Sequence, residues 1–257
     1  MQKAKVQVLK YLKKQRELFD KQSRRAFLNP STKNVHDLRV TVRRAQAVLW
    51  LAKYSSPHFS FHRLSTSLRR LGQVLGCQRQ LDVAIQDASD YNLALRELKS
   101  NRRKARHEVV EYLKARRRRD ISHQIGKAVL EMRRPSELDL EPAFIELDKR
   151  IDLWLQKRKL NNEEFHKLRI VAKRARYVIE AVGKPARPLR RLQNRLGRGH
   201  DLVVLQDLTG QNTKIQAEAA RQYRIGKKMV QPTLKMILKQ TTGIENANRA
   251  LHETSSD

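Results

Sequence analysis

Apolar residues recur at helical spacing along nearly the whole chain, starting with MQKAKVQVLKYLKKQREL, where they alternate with charged residues and form no continuous apolar stretch. Alternating β-branched segments, the mark of half-buried strands, are nearly absent, and Gly (9) and Pro (7) are too sparse to interrupt long periodic stretches. The pattern predicts an all-α protein. Breaks are expected at Asn29-Pro30-Ser31-Thr32, at Ser55-Ser56-Pro57, around Gly76 and at Arg133-Arg134-Pro135-Ser136. Further breaks are expected at Gly183-Lys184-Pro185, Gly197-Arg198-Gly199, Gly210 and before Pro232. Residues 135–142 (PSELDLEP) read as a link between a first half, 1–134, and a second half, 143–257.

The periodic segments contain an internal repeat. A shift of 130 residues lays VHDLRVTVRRAQAVL (35–49) on FHKLRIVAKRARYVI (165–179), placing His36 on His166, Arg39 on Arg169, Arg43 on Lys173 and Arg44 on Arg174. A second match follows in the same order at a shift of 121: Leu68-Arg69-Arg70-Leu71 with Leu75-Gly76 corresponds to Leu189-Arg190-Arg191-Leu192 with Leu196-Gly197. The chain therefore reads as a duplicated helical unit with pseudo-two-fold symmetry.

On a helix, His36, Arg39 and Arg43 lie within about 60° of one another. Val35, Leu38, Val42, Ala45 and Leu49 fall on the opposite, core-facing side. The second copy repeats this, with His166, Arg169 and Lys173 on one side and Phe165, Leu168, Ala172, Ala175 and Ile179 on the other; Arg44 and Arg174 flank the stripes. Like charges at this spacing repel, and an anion relieves the repulsion. Guanidinium forks match phosphate oxygens, Lys adds a compact charge, and His donates to an anion. Two such stripes facing each other would line a groove suited to a linear polyanion.

Charge sharpens this picture. Lys and Arg number 56 against 26 Asp and Glu, for a net charge of +30 spread through the periodic segments, which calls for a polyanionic partner. Nonspecific nucleic-acid binding by the same surface is the alternative, through counterion release. Base readout is disfavoured because aromatics are only 5% and no zinc-finger, RRM or KH signature occurs. Phosphoryl-transfer chemistry is disfavoured as well: no GxxxxGK[ST] is present and the repeat carries no repeated carboxylate, since Asp37 corresponds to Lys167. His58 and His62 share a helix face but have only Cys77 as a soft neighbour, so no metal and no cofactor is expected. Arg116–Arg119 and the segment 217–229 could dock acidic proteins as accessory surfaces. With a single cysteine, no signal peptide and no apolar run of about 18 residues, the expectation is a soluble cytoplasmic protein with no membrane insertion.

The paired His-containing segments, together with the LG-x-x-(Arg/His)-x-L pattern in LGCQRQLDV and LGRGHDLVV, resemble the CHAD family, the conserved-histidine α-helical domain. The resemblance runs from about residue 1 to 250. It implies two pseudo-symmetric four-helix-bundle-like halves around a basic central groove, and noncatalytic binding of inorganic polyphosphate, in some members at polyphosphate granules. It implies ligand-binding roles for His36, Arg39, Arg43 and Arg44, and for His166, Arg169, Lys173 and Arg174. The basic pairs Arg69, Arg70, Arg190 and Arg191 would join them, as would Arg102, Arg103 and Arg106 in NRRKARHEVVEYL. The chain departs from the family's Arg-Asp-x-Asp-Val element: RQLDV (79–83) and HDLVV (200–204) each keep one of its two acids, Asp82 and Asp201. Such binding would serve storage, granule targeting, phosphate sensing or the tethering of a partner enzyme of phosphate metabolism.

Overall fold

A computed structural model describes residues 2–55, 61–133, 138–157 and 160–253. Among them the secondary structure is helical throughout, with no strand. The first half contains α1 (Gln2–Leu28), α2 (Thr32–Ser55), α3 (His62–Asp90), α4 (Arg96–Tyr112) and α5 (Ala115–Glu131). The second contains α6 (Glu141–Leu155), α7 (Asn162–Ala181), α8 (Arg187–Thr209) and α9 (Thr213–Glu253).

The counts differ, five against four, because of one break. A shift of 117 residues carries the start of α4, Arg96, onto the start of α9, Thr213, and carries the α4–α5 junction, Lys114-Ala115, onto Gln231-Pro232. Thus α9 covers the ground of α4 and α5 together. It packs on α8 and α6, as α4 packs on α3 and α5 on α1.

Three expected breaks are absent. Helix α3 runs through Gly76, α8 through Gly197-Arg198-Gly199 and α9 through Pro232. One of these glycines marks close approach: a Cβ on Gly199 would stand 2.8 Å from the Tyr223 ring of α9. Pro232 lies on the exposed side of α9, and burial of Thr233, Leu234 and Ile237 holds the helix together across the hydrogen bond that proline removes. Elsewhere the breaks coincide with helix ends, as at Asn29–Ser31 and at Gly210, whose φ of 91° ends α8. Ser56, Pro57, His58 and the segment 134–137 lie outside the described residues. The remainder of the expected link is tied to the core: Leu138 and Leu140 are fully buried, and α6 already begins at Glu141.

The halves meet mainly through α2 against α7 and α6, α3 against α8, and α1 against α7. All ten apolar residues expected on the inner faces of the repeat are buried in one core that both halves share. A smaller cluster, in which Ala84 and Ala88 of α3 join Leu202 and Leu205 of α8, closes the far end. Both repeat helices start at a side-chain cap: the Ser31 hydroxyl accepts the Asn34 N–H, and Asn161 and Glu164 form a reciprocal capping box.

Candidate functional site

Because the apolar faces of α2 and α7 are consumed by the core, their basic faces turn toward each other and outward. Between them opens a cavity of about 910 Å³. Its basic groups include Arg39, Arg43 and Arg69 from the first half and His166, Arg169, Lys173 and Arg174 from the second. Trp50, Tyr177 and Phe61 supply much of its apolar wall.

Crowding of these charges shows in their acidities. Burial, and then the Arg43, Arg169 and Arg39 guanidiniums, bring the Lys173 ammonium down to about 6. Burial with Arg43 and Arg169 nearby lowers Arg39 to about 9. Arg43 and Arg169 are lowered as well, chiefly by burial; the hydrogen bond between Arg43 and Tyr177 opposes that for Arg43. The nearby carboxyl of Asp201 moves the other way, raised by burial in spite of Arg169. It therefore compensates the cations only in part. The buried Nε–H groups of Arg39 and Arg169, equivalent in the repeat, donate to no protein acceptor. Incompletely compensated charge converges on one space, and two of the guanidiniums that line it keep an unmet N–H.

The two copies are not alike in detail. His166 lines the cavity, with its ring 4.6 Å from that of His200. His36 stands outside the lining, within electrostatic reach of Arg79, Arg39 and Arg43. Burial lowers both motif histidines and takes His200 to about 3. Arg44 pairs with Glu180 of α7 at 3.7 Å, whereas its counterpart Arg174 sits 5.7 Å over the Trp50 ring of α2. Since Trp50 and Glu180 are related by the same shift of 130, these are one contact made twice with different chemistry.

Other expected residues do not reach the cavity. Arg70, Arg190 and Arg191 are exposed on α3 and α8, and Arg103 and Arg106 stay on α4. Arg102 instead donates to the buried Asp82 carboxylate at 2.5 Å and to the Thr32 hydroxyl at 3.3 Å, tying α4 to α3 and α2. Asp82 thus orients an arginine. Three groups beside the cleft are missing from the sequence-based set: Arg79, His200 and Asp201. Arg79 and His200 occupy the same variable position of the LG-x-x-(Arg/His) pattern, which was the available signal. Trp50, His62 and Lys53 had none.

Residues 10–210 match the CHAD domain family model. The chain belongs to the CHAD domain family. A crystal structure of the CHAD domain from the plant Ricinus communis superimposes with a TM-score of 0.66 at 21% identity, covering 93% of this chain and 86% of that one. PptA from Streptomyces chartreusis gives a TM-score of 0.61 at 15% identity, covering 93% and 99%. Both likenesses show the shared all-α CHAD fold. No curated protein matches this chain. Among the described residues of this CHAD protein, no helix is long and apolar enough to cross a membrane.

Proposed function

We propose that this protein binds inorganic polyphosphate reversibly and without catalysis along the cleft between α2 and α7. The observation that carries the proposal is the convergence of Arg39, Arg43, Arg169 and Lys173 on one cavity, with two buried guanidinium N–H groups unmet and the lysine pushed toward neutrality. A phosphate chain brings repeated oxygens to guanidinium forks, restores the lysine's charge and needs no base-specific contact. An open cleft contacts more of a longer chain, so affinity should rise with chain length. The reading extends to a cytoplasmic protein, with polyphosphate granules as the place to look for it.

Titration of long-chain polyphosphate into wild type and into a variant with Arg39, Arg43, Arg169 and Lys173 all replaced by Ala tests the site. Loss of at least about a thousandfold in affinity is expected, from several charge-assisted hydrogen bonds at roughly 1.5–3 kcal/mol each, with helicity by circular dichroism unchanged. Normal binding by that variant places the site elsewhere. Nonspecific nucleic-acid binding draws support from the net charge of +30. Competition between polyphosphate and duplex DNA at matched salt separates the two: DNA should displace polyphosphate poorly.

A further inference from the structure

The outer side of the first half carries a second concave basic surface. There α1 and α5 enclose a groove of about 600 Å³ that shares no lining residue with the cleft. Arg16, Arg24, Arg118, Arg119 and Lys127 line it alongside a single carboxylate, Asp20.

One of these cations is held in place, and a second packs against the facing helix. The Nε–H of Arg118 donates to the Leu113 carbonyl at 2.7 Å, and its guanidinium lies 5.0 Å over the Phe27 ring. Burial, with Arg24 and Arg119 close by, lowers its pKa. Arg16 lies against α5 at Gly126, where a Cβ would come within 2.9 Å of the guanidinium carbon. Glycine inside a helix costs about 1 kcal/mol relative to alanine, so this close approach is bought at a cost in helix stability.

The duplication does not demand such a surface. Helix α1 carries nine basic and two acidic residues, whereas its counterpart α6 carries two basic and four acidic. Forked donors gathered in a concave channel suit phosphate oxygens. The nearby Phe27 ring is covered by Arg118, so the imidazole of His123 is the aromatic surface that the groove lining offers a nucleobase, whereas strand binding stacks successive bases on several rings.

We infer that the α1–α5 groove is a second oligophosphate site, independent of the cleft, through which one molecule can bridge two phosphate chains; the choice of ligand rests on the function proposed above. Calorimetric titration with tripolyphosphate at low, matched ionic strength tests it. Wild type should bind two equivalents. Arg16→Gln/Arg24→Gln/Arg119→Gln should bind one, and so should the cleft variant lacking Arg39, Arg43, Arg169 and Lys173. Gly126→Ala removes no charge and should weaken only the groove site, by about tenfold, the equivalent of one charge-assisted hydrogen bond. Long-chain polyphosphate should cross-link wild type into turbid assemblies and leave both single-site variants clear.

A single equivalent in wild type that the cleft variant abolishes overturns the groove site and leaves the cleft standing. A single equivalent that only the groove variant abolishes does the reverse. Absence of binding removes both sites, and a groove variant that still takes up two equivalents removes the groove alone.

Discussion

The helices α2 and α7 carry the same motif, yet they serve the cleft unequally. All three motif cations of α7 and its histidine line the cavity, whereas of the α2 motif only Arg39 and Arg43 do. The difference lies in what each helix meets across the interface. Glu180 draws Arg44 out of the cavity wall, while the equivalent Trp50 holds Arg174 over its ring and leaves that guanidinium's edge in the cleft. A duplicated sequence duplicates which residues are available; the partner helix determines which of them reach the ligand.

That inequality can be broken experimentally. Arg169→Ala/Lys173→Ala and Arg39→Ala/Arg43→Ala each remove a facing pair, and each should lower polyphosphate affinity by about a hundredfold in equilibrium titration. A pair whose loss leaves affinity intact would show that the chain follows one helix only.

The next effect concerns pH. Free Lys173 titrates near 6, and bound anion raises that value, so above about pH 6 the complex must take up a proton that the free protein has released. Affinity should therefore fall as pH rises from about 6, by up to about tenfold per unit until the pKa of the complex is reached. Lys173→Arg should flatten this profile. For stability the sign is opposite. The unfolded chain keeps the proton up to its ordinary 10.5, binding more protons than the folded state between about 6 and 10.5, so the free protein becomes more stable as pH rises across that window. Lys173→Met should raise the melting temperature of the free protein while weakening binding, as differential scanning calorimetry and titration would show.

Smaller still, Arg174→Ala should weaken binding about tenfold more than Arg44→Ala. Arg44→Ala should instead cost up to about 1 kcal/mol of stability in chemical denaturation, since its ion pair is partly exposed. Last, His166→Ala should lower affinity a few-fold and His36→Ala less, because only His166 lines the cavity. Equal effects would mean that the bound chain extends past Arg39 toward His36 and Arg79.

Where expectation and structure part, the cause is local. Gly76, Gly199 and Pro232 read as helix breaks because their propensities are poor, yet all three lie inside helices. Propensity costs about 1 kcal/mol for glycine and about 3 kcal/mol for proline, and the packing around Leu75, Leu196 and Leu234, all fully buried, outweighs it. Arg102 was legible as a basic residue, but nothing along the chain revealed that Asp82, twenty positions earlier, would claim it. Arg69 and Arg190 are indistinguishable in the repeat, and only Arg69 reaches the cavity.

The sequence by itself determined the helical class, the duplication and the cations that each repeated helix presents opposite its apolar face. Those properties depend on residue periodicity and on a shift between copies, both readable without coordinates. Tertiary structure alone decided which cations share a space, how far Lys173 is driven from its ordinary pKa, and that α1 and α5 enclose a separate groove. Each of these depends on distances between side chains remote in the chain, and Coulombic coupling and desolvation act through those distances, not through sequence separation.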